Sequence, residues 1–131
     1  MSVELKMLGW SIALGLVYVI LAVALATKQR GMAWNSGNRT GELALTGAAD
    51  RASRASRNFL ETFAFFAAAV LAVVVGQCTS STTALGAELY FWARVVYLPV
   101  YTIGIPYVRT LVWAVSVAGL LMVLSGLCCS H

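Results

Sequence analysis

The chain has 131 residues, of which 60% are hydrophobic and only 11% charged, and its formal net charge is +4. With a mean hydropathy of +0.83, it is too apolar and too poor in charge for an ordinary soluble domain, and the apolar segments leave no room for one beside them. Four such stretches, Leu8 to Ala26, Phe59 to Gly76, Leu85 to Ile105 and Leu111 to Cys129, each approach the ~20 residues a helix needs to cross a bilayer.

The apolar runs are continuous rather than alternating, which disfavours strands. The reading is an all-α, integral membrane four-helix bundle. It is one transmembrane domain over residues 1–131, with helices at about 5–28, 50–77, 83–103 and 107–129. Ala22, Ala24 and Ala26 imitate a signal-peptidase site, but the stretch is longer than a signal core and runs into Lys28 and Arg30, so it reads as a retained multi-pass helix. Lys28, Arg30, Arg39, Arg51, Arg54 and Arg57 lie in or beside the first connection, whereas Cys78 to Ala84 carries no charge. By the positive-inside rule the first loop is cytoplasmic and both termini lie on the opposite side. The net charge is then a topology signal. No basic run is interleaved with exposed aromatics, so nucleic acid is not an expected partner.

In the first helix, Gly9, Ser11, Gly15 and Tyr18 interrupt an aliphatic surface and read as packing positions without chemistry. Residues 31–49, with Gly31, Gly37, Gly41 and Gly47 among Ser, Thr and Asn, form a connection of about twenty residues. Such a length suits either a lid or an interfacial linker.

The stretch from Asp50 to Phe65 carries most of the information. Arg51, Arg54, Asn58 and Glu61 are spaced i, i+3, i+7, i+10 and form one helical stripe, with Arg57 alongside as the i, i+4 neighbour of Glu61. Asp50 is a candidate N-cap, which places the three arginines in the first two turns, where the macrodipole already disfavours cations. An anion should offset that, and free N–H groups beside guanidinium charge suit carboxylate or phosphate. Arg51 and Arg54 alone could instead mark a cytoplasmic helix end. Glu61, about two turns in, needs Arg57, Arg54 or a bound ammonium as partner.

In the third helix Tyr90, Arg94, Tyr97 and Tyr101 again share one face, and Arg94 falls near mid-membrane. A lone cation there is costly, so it either pairs with Glu61 or Glu88 or lines a cavity. Tyr97 and Tyr101 are either cavity groups or interfacial aromatics. Pro99 should kink the helix or free a carbonyl, and Gly104 and Pro106 should end it. Arg109 and Thr110 open the fourth helix on the side where the second begins. Cys78, Cys128 and Cys129 map to the opposite end, away from the arginines; Cys78 pairs with one of the other two if that side is oxidising, or all three are inert thiols. His131 has no metal-site spacing, and no metal is expected.

Several arginines, a glutamate, an asparagine and tyrosines opening to the cytoplasm suit a small peptide-like molecule with more carboxylate than ammonium. Glutathione has that layout, and positive charge beside its thiol would favour the reactive thiolate. The motifs R-A-S-R-N-F-L-E at Arg54 to Glu61 with Arg51 before it, R-V-V-Y-L-P-V-Y at Arg94 to Tyr101, and R-T at Arg109 and Thr110 resemble those of the MAPEG superfamily, the membrane-associated proteins of eicosanoid and glutathione metabolism. The resemblance is closest to the microsomal prostaglandin E synthase and glutathione transferase branch. It covers the second to fourth helices well and the first by hydropathy only.

The resemblance implies a homotrimer with glutathione between protomers near the cytoplasmic face. It implies glutathione contacts at Arg54, Arg57, Asn58, Glu61 and Tyr101; the residues themselves add Arg51, from the same stripe, and Tyr97, a hydroxyl for the thiolate or the second substrate, to the candidate binding set. It also implies a thiolate-stabilising role for Arg94 and an arginine–hydroxyl pair near the reacting centre at Arg109 and Thr110. Two departures stand out: Thr27, Lys28 and Arg30 offer no clear match for a further arginine contact, and Asn38 stands where prostaglandin-forming members have an acidic residue, which points away from prostaglandin isomerase activity. The compact, C-terminally short chain resembles bacterial members, which implies the bacterial inner membrane. The expected function is a glutathione transferase or peroxidase acting on a lipophilic second substrate, an electrophile or a lipid hydroperoxide. The competing reading is a non-catalytic scaffold or accessory subunit whose polar face binds a lipid headgroup or a protein.

Overall fold

The computed structural model describes residues 1–30 and 47–129, apart from the side chain of Arg30. These residues form helices α1 (Val3–Arg30), α2 (Gly47–Val75), α3 (Ser81–Ile103) and α4 (Pro106–Ser125), followed by a 3-10 turn over Gly126–Cys128. Most of the connection expected as a lid or linker, including Asn38 and Arg39, lies outside the described residues, as does His131; residues 47–49 are already helical. Asp50 is therefore not the cap of α2. It stands in the first turn, where its carboxylate meets Arg54 at 3.0 Å.

Three segments, Val3–Gln29, Gly47–Val75 and Pro106–Cys128, are long and apolar enough to cross a membrane. At 23 residues α3 is also long enough, but Glu88, Arg94 and its polar first turn dilute it. The helix that departs from a pure lipid-spanning composition is thus the one that carries the buried cation.

Local chemistry sets the ends of α3. Ser80 and Thr83 form a reciprocal capping box: the Ser80 hydroxyl accepts from the Thr83 N–H at 3.3 Å, and the Thr83 hydroxyl accepts from the Ser80 N–H at 2.7 Å. Thr83 is also within 2.8 Å of the carboxylate of Glu4, which is buried at the start of α1. The helix continues through Pro99 and stops at Gly104, whose φ of +91° suits glycine. Pro106 then fills the first turn of α4, where its missing N–H has no helical partner to lose.

The helix α4 packs chiefly on α3, and α1 chiefly on α2. The α3–α4 contact is a glycine crossing: a Cβ on Gly86 would lie 2.6 Å from the Gly119 carbonyl oxygen, and one on Gly119 would lie 2.6 Å from that of Gly86. Only hydrogen fits on either side, so the backbones touch, as small residues allow between membrane helices. Two apolar clusters fill the interior. One gathers Leu8, Phe66, Val70, Val73, Ala87 and Val123 around Tyr90; the other gathers Ala55, Phe59, Tyr97 and Leu98 around Tyr18. Stacked rings tighten each cluster, with centroids 4.7 Å apart for Tyr18 and Phe59 and 4.0 Å for Phe66 and Tyr90, and the tilted Phe59–Tyr90 pair, at 6.4 Å, joins the two. At the far end a disulfide links Cys78 to Cys129, with Cα atoms 5.8 Å apart, while Cys128 is an exposed free thiol. Of the two readings open for the cysteines, the chain takes the paired one.

Candidate functional site

Arg94 is completely buried, on the face of α3 turned toward α1 and α2. Its Nη1 donates to Asn58 Oδ1 at 2.7 Å and its Nη2 to Thr62 Oγ1 at 2.8 Å. The guanidinium carbon lies 4.9 Å from the centroid of the Tyr97 ring and 5.7 Å from that of Tyr90, distances at which aromatic faces attract a cation. The Tyr18 hydroxyl donates to the Arg94 carbonyl oxygen at 2.5 Å, fixing this turn of α3 against α1. Both carboxylates considered as partners, Glu61 and Glu88, are exposed and form no ion pair with Arg94; the Arg54–Asp50 contact is the salt bridge found among the described residues. The cation is therefore solvated by neutral oxygens and ring faces, and its buried Nε has no hydrogen-bond partner among the described residues. A buried charge in that state favours any anion that can approach it.

Two clefts open above this layer. One, of about 260 Å³, is lined by Asn58, Tyr97, Tyr101, Arg109, Thr110 and Trp113. The other, of about 270 Å³, is lined by Arg54, Arg57, Asn58, Glu61 and Tyr101. Asn58 and Tyr101 belong to both, so the clefts adjoin. They bring the polar stripe of α2 together with the aromatic face of α3 and the start of α4. Arg109 stands over the Tyr101 ring at 5.0 Å, which leaves its guanidinium nitrogens available to a ligand in the first cleft. The Thr110 hydroxyl donates back to the Pro106 carbonyl oxygen at 3.3 Å. The second cleft offers two cations and one carboxylate, the complement of a molecule with two carboxylates and one ammonium.

Two of the expected site residues stand outside both clefts. Arg51 lines neither cleft: its Nε donates to the Thr102 carbonyl oxygen at 2.8 Å, so it ties the start of α2 to the end of α3. Arg94 also lines neither cleft. It lies one layer deeper, behind Asn58 and Tyr97, because its aliphatic stem and charge are enclosed by α1 and α2. Tyr97 is buried against Arg94 rather than placed as an interfacial aromatic.

Thr62, Tyr90 and Tyr18 join the site only in three dimensions. Thr62 is the i+4 neighbour of Asn58 and so falls on the stripe already identified. Tyr90 opens the Arg94 stripe and places its hydroxyl 3.0 Å from that of Thr62. Tyr18 had no polar neighbour on its own helix to single it out.

The sequence model described as the MAPEG family matches residues 7–128. No curated protein and no solved structure matches the chain.

Proposed function

The chain belongs to the MAPEG family and is an integral membrane protein, and from that premise we propose that it is a glutathione-dependent enzyme acting on lipophilic substrates. The observation that carries this reading is Arg94, a fully buried guanidinium with no carboxylate partner among the described residues, set directly beneath two clefts lined by further arginines. A scaffold has no need of an uncompensated cation at that depth.

In this reading Arg54 and Arg57 take the two carboxylates of the tripeptide, and Glu61 takes its ammonium. The thiol then falls in the adjoining cleft among Asn58, Tyr97, Tyr101, Arg109 and Thr110. Bound glutathione supplies the thiolate nucleophile. The positive charge of Arg109 at the cleft wall and of Arg94 behind it holds the sulfur in its deprotonated form near neutral pH, below the ~8.5 of a free cysteine thiol. The hydroxyls of Tyr101 and Thr110 stand where a second reactant, an electrophile or a hydroperoxide, would enter from the lipid. The clefts are completed by a neighbouring copy in a homotrimer. The first connection faces the cytoplasm, and the disulfide end lies on the other side of a bacterial inner membrane.

The test is direct. Purified protein mixed with glutathione should show the ultraviolet absorbance of bound thiolate at neutral pH, and Arg109→Ala and Arg94→Ala should each remove most of it. A wild-type protein that binds no glutathione, or binds it only as the thiol, overturns the reading.

A further inference from the structure

Arg94 cannot touch a ligand in either cleft without moving, yet it hydrogen-bonds a residue that lines both. An arginine only donates, so Asn58 must turn its amide oxygen toward Nη1, and this leaves the Asn58 amino group as the donor available to the clefts. Polarisation of an amide by a charge at its oxygen strengthens the donor at its other end. The position of the buried charge thus matters to the cleft, and Thr62 is what fixes that position. Its Oγ1 is the acceptor of Nη2 at 2.8 Å; it is also 3.0 Å from the Tyr90 hydroxyl and 3.2 Å from the Phe59 carbonyl oxygen.

These contacts have one mutually consistent assignment. A hydroxyl has a single proton and two lone pairs. If Thr62 donates to Phe59, it accepts from both Arg94 and Tyr90, and the buried Tyr90 proton finds its partner. Every capacity of the Thr62 oxygen is then used, and the guanidinium is held between Thr62 and Asn58 with Tyr97 across its face.

We propose that Thr62, fixed by Tyr90, is a positioning residue for thiolate formation: it holds Arg94 so that the buried charge is delivered to the cleft through the Asn58 amide. This rests on the glutathione reading above. Beside the thiol, Asn58 and Arg109 are the groups that touch the ligand, while Thr62 and Tyr90 act through Arg94.

The experiment uses the whole protein in detergent with glutathione as probe, following thiolate absorbance against pH for wild type, Thr62→Val, Thr62→Ser and Tyr90→Phe. Thr62→Val keeps the shape but removes the acceptor. It should move the titration of the bound thiol up by about one pH unit, a roughly tenfold loss of thiolate below that range. Glutathione affinity measured at acid pH, where the thiol is protonated in every variant, should be unchanged. Thr62→Ser should restore the wild-type titration, and Tyr90→Phe should shift it in the same direction as Thr62→Val but by less. A depressed titration in wild type that Thr62→Val and Tyr90→Phe both leave in place overturns the proposal alone; so does a Thr62→Val protein that loses affinity at acid pH with its titration unmoved. Where Thr62→Val does not fold, Tyr90→Phe decides by the same criterion. A wild-type protein without a depressed titration overturns the proposal and the glutathione reading together.

Discussion

Arg94 and Asn58 meet across the α2–α3 contact at 2.7 Å, a buried guanidinium donating to an amide oxygen where a salt bridge would ordinarily place a carboxylate. The choice of a neutral partner has a consequence. A carboxylate would cancel the charge locally, whereas the amide satisfies the N–H and leaves the positive potential to act on the clefts above. Thr62 and the ring faces of Tyr90 and Tyr97 are neutral in the same way.

Asn58→Asp is therefore expected to be a sharper probe than deletion. The new carboxylate would pair with Arg94 with almost no change in volume, neutralising the site and removing the cleft-facing amino group. The bound thiol should titrate at least about one pH unit higher than in wild type, and turnover at neutral pH should fall by about tenfold or more. The pH profile of thiolate absorbance checks this, with thermal unfolding as control, since stability should be kept or raised. An unmoved titration would show that the Arg94 charge does not reach the sulfur.

Glu61→Gln tests the other half of the site. Glu61 is exposed on the wall of the cleft that also holds Arg54 and Arg57. If it receives the ligand's ammonium, loss of that charged hydrogen bond should weaken glutathione binding by about 1 to 3 kcal/mol. The thiol titration should stay in place, because the change lies in the neighbouring cleft. Calorimetric affinities for the two proteins decide the matter, and equal values would remove Glu61 from the binding set.

Helical spacing made much of this arrangement legible. The intervals from Arg54 to Glu61 and from Arg94 to Tyr101 each put their side chains on one face, and the clefts that Asn58 and Tyr101 share are where those faces meet. Depth was not legible. Period alone does not distinguish Arg94, enclosed by α1 and α2, from Arg109, which lines a cleft. Nor does it reveal that Arg51, at the start of the same stripe, turns to the Thr102 carbonyl oxygen. Partners contributed by another helix were equally hidden: Tyr18 and the buried Glu4 are isolated polar residues on α1, and their roles exist only through Arg94 and Thr83. An acidic residue just ahead of a polar stripe suits a cap and a first-turn position equally well, and Asp50 takes the second, three residues into the helix.

The glycine crossing between α3 and α4 gives a prediction that concerns the fold alone. Gly86→Ala and Gly119→Ala each place a methyl 2.6 Å from the opposing carbonyl oxygen, so the helices must separate. Each should cost about 1 to 3 kcal/mol, read as a lower unfolding temperature in detergent. Because one separation relieves both clashes, the double variant should be less destabilised than the sum of the singles. Full additivity would mean that the two glycines do not share a contact.

The disulfide supplies a last test at the end of the bundle away from the arginines. Denatured but unreduced protein should be alkylated at Cys128 alone, and reduction should open Cys78 and Cys129 as well. The bridge closes a loop with a sequence separation of 51, for which chain entropy in water gives about 4 kcal/mol. That figure is an upper bound here, because a bilayer or micelle already restrains the unfolded helices. Cys78→Ser should therefore lower the unfolding temperature by less than a soluble protein of this loop length would lose. Glutathione binding should be unaffected, since Cys78 follows the C-terminal end of α2 whereas Arg54, Arg57 and Asn58 occupy its N-terminal half. A loss of binding on reduction would mean that the α2–α3 turn and the clefts are mechanically coupled through the length of α2.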